Sequence, residues 1–238
     1  MEAEKLNVPA ADLVTEPLTV EELHEAATKR ISLIQKELTD GFEFLKNYPR
    51  SVTFFGSSRC TEDSEHYKQA RGLAAKIVEE LGYAIFTGGG PGIMEAANRG
   101  AKEAGGKSLG LNINLLRAQR MNPYVTDHAS FYYFFSRKLC LAFSAEAYIF
   151  FPGGYGTLDE FFEILTLVQT GKMARVPILA VGRDFWEPMK EFIYRHIYTN
   201  HCAIEKTDMN LFVIADNNDE IIKLIGKTPI RNGIPFHY

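Results

Sequence analysis

The sequence predicts an α/β protein: a Rossmann-like, doubly wound parallel sheet in a single domain, with an N-terminal helical extension. Three observations lead there. From about residue 50 onward, short apolar runs alternate with amphipathic stretches, the rhythm of βαβ units. Most runs are apolar throughout, as strands covered by helices on both faces must be. Two junctions between a run and the following helix, at 87–95 and 151–160, are dense in glycine. In open parallel sheets ligands sit beyond the carboxyl ends of the strands, which is where such junctions fall.

The elements follow in order. Residues 1–18 are polar, contain Pro9 and Pro17, and are expected to be mobile. A helical arm covers 19–49. Thr19 and Glu22 have the spacing of a capping box, and Leu23, Ala26, Ala27, Ile31, Ile34 and Leu38 recur at helical intervals. Gly41 offers a bend, and Tyr48-Pro49 ends the helix, because the residue before proline avoids the helical region. The α/β domain spans 50–226. Strands are expected at 51–55, 83–87, 108–112, 147–151, 176–181 and 211–215. Helices are expected at 64–81, 92–104, 133–144, 157–170, 185–198 and 219–225, several closed by glycine (Gly82, Gly105, Gly171). Residues 113–130 read as a long loop, and 227–238 as a C-terminal tail. Trp186 is expected to pack the last helical layer, and the run from Phe131 to Phe135 to serve core and subunit interface, favouring a homodimer or higher homo-oligomer.

Composition limits the partners. Lys and Arg number 26 against 30 Asp and Glu, a net charge of −4. With no basic stripe, this speaks against tracking a nucleic acid, yet leaves room for a local cationic pocket that holds one small anion. Cys60, Cys140 and Cys202 fit neither a disulfide framework nor a zinc knuckle; three buried, reduced thiols in a cytoplasmic protein are expected. The acidic N-terminal stretch has no signal-peptide run. The longest apolar stretch, 139–151, is interrupted by Glu146 and too short to span a bilayer, so no membrane partner is expected. The histidines show no metal spacing, so no metal is expected, and His128 is assigned a structural role in its loop.

Chemistry concentrates at the two glycine-rich turns. Thr87-Gly88-Gly89-Gly90-Pro91-Gly92-Ile93-Met94-Glu95 and Pro152-Gly153-Gly154-Tyr155-Gly156-Thr157-Leu158-Asp159-Glu160 each bring backbone N–H groups to a helix N-terminus, where the dipole favours an anion. Two such turns in one sheet suggest a phosphorylated ligand. Neither is a GxGxxG fingerprint or a P-loop, so dinucleotide use and ATP hydrolysis lose ground, and no cofactor is expected. Glu160 stands three residues after Thr157. That relation fits a capping box, and equally a carboxylate held beside a bound phosphate sugar. Arg137-Lys138 is a basic pair flanked by strongly apolar sequence on the helix that feeds the second turn.

On these residues the sequence resembles the LOG ("Lonely Guy") family. Pro152 to Glu160 is similar to the family's PGGxGTxxE signature, Gly88 to Met94 to its GGGxxGLM turn, Phe55-Gly56-Ser57-Ser58-Arg59 to its first strand-end loop, and Ser136-Arg137-Lys138 to its Arg-Lys helix pair. The resemblance covers about 50–200. It implies a phosphoribohydrolase that splits the N-glycosidic bond of a nucleoside 5′-monophosphate, of AMP or cytokinin riboside type, into free base and ribose 5-phosphate.

It also implies roles. Glu160 and Arg137 would be catalytic, Glu160 stabilising an oxocarbenium-like state and activating water. The turn Gly153, Gly154, Tyr155, Gly156 and Thr157 would hold the phosphate, with Lys138 and Asp159 beside it. Gly88, Gly89, Gly90 and Gly92 would line the ribose side, bordered by Met94 and Glu95. Gly56, Ser57 and Ser58 would face ribose or base, and Thr166 would touch the ligand. Members are often labelled lysine decarboxylases, but a pyridoxal enzyme needs a Schiff-base lysine, and these motifs supply none. Phe134 and Leu141 stand where plant-type members carry Met, and Glu95 where glycine often follows. These departures, with the added N-terminal helix, bear on base specificity rather than on reaction class. A non-catalytic nucleotide-binding or sensing protein of the same superfamily is the alternative, and a DNA-processing role is disfavoured by the net charge.

Overall fold

The computed structural model describes residues 19–113 and 121–228. The expected mobile segment 1–18, and the expected tail beyond residue 228, lie outside the described residues. Seven parallel strands form one sheet in the order β4-β3-β2-β1-β5-β6-β7. They are β1 (Ser51–Phe55), β2 (Ala84–Thr87), β3 (Ser108–Ile113), β4 (Asp127–Phe131), β5 (Ala147–Phe150), β6 (Ile178–Ala180) and β7 (Val213–Ile214). The helices are α1 (Val20–Leu45), α2 (Glu65–Leu81), α3 (Ile93–Glu103), α4 (Phe134–Phe143), α5 (Tyr155–Gln169), α6 (Arg183–Phe192) and α7 (Asn218–Gly226). The Rossmann-like α/β class expected from the rhythm is the class observed.

Side chains alternate across the sheet, so the central strands feed two cores. Val52, Phe54, Ile149 and Phe151 point to the layer of α2, α3 and α7. Phe55, Tyr148 and Phe150 point to the opposite layer, with Phe131, Cys140, Phe161 and Trp186. Both central strands are buried along their whole length, and the two polar residues of β1, Ser51 and Thr53, are buried with hydrogen bonds to Ser144. Trp186 is fully buried, as expected, and its indole N–H donates to the Phe150 carbonyl at 3.1 Å.

Two compact units divide the chain, at residues 1–36 and 37–238. In the first, Thr19 and Glu22 form the expected capping box: the Thr19 N–H donates to Glu22 (2.8 Å), and the Glu22 N–H to the Thr19 hydroxyl (3.2 Å). In the second, α1 runs unbroken through Gly41. That glycine is a close approach rather than a bend: a Cβ there would lie 2.6 Å from Cys140 Sγ and 3.0 Å from the Phe131 ring.

Two expectations are corrected. The segment read as a loop, 113–130, contains β4, paired with β3 from Leu109↔Asp127 to Ile113↔Phe131. Its residues Asp127, His128 and Ser130 gave no strand signal because an edge strand buries little; only Phe131 reaches the core. The thiols are free but not all buried: Cys140 is, Cys60 is half-buried, and Cys202 is exposed at φ 49° behind a π-helical stretch, Ile193–Asn200. In the aromatic run Phe131 alone is core; Tyr132, Phe134 and Phe135 stand in the open. Among the described residues no helix is long and apolar enough to cross a membrane, and no cluster of His, Cys, Asp or Glu could hold a metal ion.

Candidate functional site

The strand order runs outward in both directions from β1 and β5, so the topological switch point lies between them. The loops that leave these two strands, 56–58 and 151–154, therefore open the crevice. Ser57 joins both glycine turns through its backbone. Its N–H donates to the Pro152 carbonyl at 3.0 Å, and its carbonyl accepts the Ile93 N–H at 3.1 Å. Gly92 is a glycine because it sits at φ 72° and a Cβ would collide with the Ser57 carbonyl. Gly56 likewise leaves room for Ile93. The Ser57 hydroxyl accepts the Arg59 N–H at 3.1 Å, and Ser58 is exposed.

The second turn starts its helix earlier than expected. Gly154 is the N-cap of α5, and no side chain caps it. Thr157 is thus inside the first turn, its N–H donating to the Gly154 carbonyl at 3.0 Å, so Thr157 and Glu160 make no capping box. The Thr157 side chain is buried and fills the space that a Cβ at Gly153 would need. Gly154, Tyr155 and Gly156 are exposed, and nothing crowds the α-carbons of Gly154 and Gly156. The first turn of α5 carries no acidic residue, whereas the first turn of α3 carries Glu95. Of the two helix N-termini, that of α5 is the better anion cradle.

Glu160 lies one turn further along α5, only 6% exposed, and its Oε2 has no hydrogen-bond partner. Burial pushes its carboxyl up to about 7; Arg137 and Lys138 oppose the shift, and Glu163 and Asp159 add to it. Arg137 belongs to the same electrostatic cluster. Its Nε donates to the Leu111 carbonyl at 2.6 Å, at the end of β3, and its guanidinium lies against the α-carbon of Gly88. Burial lowers its pKa, while Glu160 pulls the other way. Met94 Sδ also crowds Gly88, 2.8 Å from where a Cβ would stand. Asn112, also at the end of β3, presses its Oδ1 on Gly89.

Gly88 is half-buried, and Gly89, Gly90 and Gly92 are buried. Glu95 is held by the Tyr67 hydroxyl, which donates to it at 3.2 Å. Lys138 is tied to Asp159 (2.8 Å) and Glu163 (3.1 Å). Burial alone would lower the pKa of its ammonium, but these carboxylates hold it above its ordinary value. Thr166 is exposed and donates to the Phe162 carbonyl at 2.7 Å; it lines an outer groove with Lys138, Asp159 and Phe162 rather than standing beside Glu160.

Three polar residues escaped the sequence reading: Glu163, Asn98 and Asn122. Glu163 completes the acidic surround of Lys138 and Glu160. Thr87, Asn98 and Asn122 form a buried network behind the first turn. A polar Asn98 on the alanine-lined buried face of α3 was the available signal. Asn122 gave none, because its partners are distant in sequence.

Comparison with known proteins adds the following. A family model described as "Possible lysine decarboxylase" matches residues 94–225. A cytokinin riboside 5′-monophosphate phosphoribohydrolase of Rhodococcoides fascians is 25% identical over 159 residues, covering 66% of this chain and 77% of that one. The Arabidopsis thaliana enzyme of the same name, LOG5, is 26% identical over 193 residues, 79% of this chain and 82% of its own. A molybdenum cofactor carrier protein from Chlamydomonas reinhardtii superposes with a TM-score of 0.57 at 20% identity, over 75% of this chain and 96% of that one, and shares the fold.

Proposed function

The chain belongs to the LOG family, whose model is described as possible lysine decarboxylase, and on that premise we propose that it hydrolyses the N-glycosidic bond of a nucleoside 5′-monophosphate. The products are the free base and ribose 5-phosphate. One observation carries this reading: a buried, partly unpartnered carboxylate, Glu160, sits one turn inside an uncapped helix N-terminus and within the field of Arg137. Its relatives' names point the same way.

The geometry suits the chemistry. The 5′-phosphate seats on the N–H groups of Tyr155 and Gly156 at the head of α5. Arg137 neutralises charge on the nucleotide across from Gly88. As the C1′–N bond breaks, positive charge develops on the ribose, and the Glu160 carboxylate stabilises it electrostatically. Water then bonds to C1′ through its oxygen and passes a proton to Glu160; the departing base takes up a proton from solvent, and Glu160 returns its own to solvent, which restores the carboxylate. A carboxyl that titrates near neutrality is suited to that exchange.

The decarboxylase label does not fit the residues. A Schiff base needs an uncharged lysine, and the lysine at this site, Lys138, is kept as ammonium by two carboxylates. The exposed Tyr132, Phe134 and Phe135 are the face through which a homodimer would form.

The test is incubation of the purified protein with a panel of nucleoside 5′-monophosphates, followed by detection of free base. Base release abolished in Glu160→Gln supports the reading. No release from any nucleotide, or an unimpaired Glu160→Gln, overturns it, and tight binding without release would favour a nucleotide-binding or sensing protein.

A further inference from the structure

Behind the first glycine turn lies a polar cluster that the reaction as described does not use. Asn122 is 5% exposed and Asn98 is fully buried. The Asn122 backbone N–H donates to the Gly89 carbonyl at 2.9 Å, and its Nδ2 donates to the Gly90 carbonyl at 3.0 Å. The same Nδ2 donates to Asn98 Oδ1 at 2.9 Å, and Asn122 Oδ1 accepts the Tyr124 N–H at 3.1 Å. Asn98 Oδ1 also accepts the Thr87 hydroxyl (2.6 Å), while its Nδ2 donates to the Ser108 hydroxyl (2.9 Å) and the Leu109 carbonyl (3.2 Å). Both donor hydrogens of each amide are engaged, and a network this complete specifies one arrangement.

We propose that Asn122 is a positioning residue for the reaction: it clasps the carbonyls of Gly89 and Gly90 and so fixes where the Arg137 guanidinium lies. The proposal rests on the nucleotide-cleaving function above. The link is steric. Gly88, the residue just before the clasped pair, has no room for a side chain: a Cβ there would collide with the Arg137 guanidinium and lie 2.8 Å from Met94 Sδ. Arg137 cannot yield freely, because its Nε is bound to the Leu111 carbonyl. Any drift of the turn is therefore passed to the guanidinium. Asn122 thus ties its own loop to a turn 32 residues earlier in the chain.

The experiment uses the full chain, with Asn122→Ala, Asn122→Asp and Ser108→Ala. Asn122→Asp keeps the acceptor for Tyr124 and loses the donor to Gly90. Ser108→Ala removes a hydroxyl from the same network that touches Asn98 rather than the turn. Three things are measured: kcat and KM on the best nucleotide substrate, thermal stability, and amide hydrogen exchange of residues 88–94 without ligand. The Asn122 variants are expected to lose at least about tenfold in kcat, the scale on which misplacing a positioned group acts. They should also exchange faster at 88–94, while Ser108→Ala lowers thermal stability and keeps kcat within about twofold. Unchanged kcat in Asn122 variants, or an equal kcat loss in Ser108→Ala at equal stability, overturns the proposal; if Asn122→Ala does not fold, Asn122→Asp decides alone. A wild-type protein that cleaves no nucleotide removes the functional premise, and the exchange arm then shows separately whether Asn122 holds the turn.

Discussion

The guanidinium of Arg137 packs directly on the α-carbon of Gly88, so that a methyl group added there would overlap the arginine's terminal nitrogen. Two stretches far apart in sequence thus share one position at the carboxyl end of the sheet. Gly88→Ala is expected to displace Arg137 and reduce kcat/KM by about 10²-fold, the effect of misplacing a catalytic group by roughly an ångström. Steady-state kinetics on the cleaved nucleotide check this; a loss below about threefold would show that Arg137 does not depend on the contact.

Glu160 couples stability to pH. Its folded carboxyl titrates at about 7, above its ordinary 4.5. Between those values the folded state holds more of the proton than the unfolded state does. The contribution is therefore fully present below pH 4.5 and is lost as the pH rises through 7. Glu160→Gln removes this dependence. Its thermal stability relative to wild type should climb over that window, by the equivalent of up to about 3 kcal/mol, while base release is lost. Parallel stability curves for the two proteins would contradict the raised value.

The carboxylates around Glu160 set the same titration from outside. Glu163 raises the pKa of Glu160 by like-charge repulsion. In Glu163→Gln the limb of kcat/KM that reports Glu160 should move to lower pH, because the carboxylate form meets less repulsion. A pH–rate profile of both proteins checks the direction, and a limb that moves upward rules it out.

The glycines of the two turns should separate into classes. A Cβ at Gly154 or Gly156 meets no protein atom, and neither residue has a positive φ. Alanine there should leave the fold intact, within about 0.5 kcal/mol, yet raise KM by crowding the phosphate. At Gly92, φ 72° and the Ser57 carbonyl oppose any side chain, so alanine should destabilise the protein by more than about 1 kcal/mol. Denaturant melts together with AMP titration distinguish them; a Gly156→Ala variant with wild-type KM would remove the phosphate from the head of α5.

The exposed aromatics on and before α4 bear on assembly. A homodimer formed through Tyr132, Phe134 and Phe135 should dissociate in Phe135→Glu, as a buried charge at an interface core is costly. Sedimentation velocity of wild type and variant checks it, and a monomeric wild type would refute the interface.

By itself the sequence determined the layered α/β fold and the two glycine turns, because both depend on local patterns. Apolar runs mark doubly buried strands, and glycine marks turns at which no side chain fits. Arg137 and Glu160 were legible for the same reason, each standing at a fixed offset within its own helix. Tertiary structure alone decided what those residues meet. Edge strand β4 buries one side chain deeply and so left no apolar period to read. Thr157 looked like a cap until the helix was seen to begin at Tyr155, with Gly154 before it. The ion pairs of Lys138 with Asp159 and Glu163 were likewise set by how α4 meets α5. Asn122 could not be read at all, because hydrogen bonds to the carbonyls of Gly89 and Gly90 depend on where two distant loops arrive, and no local residue pattern encodes that meeting.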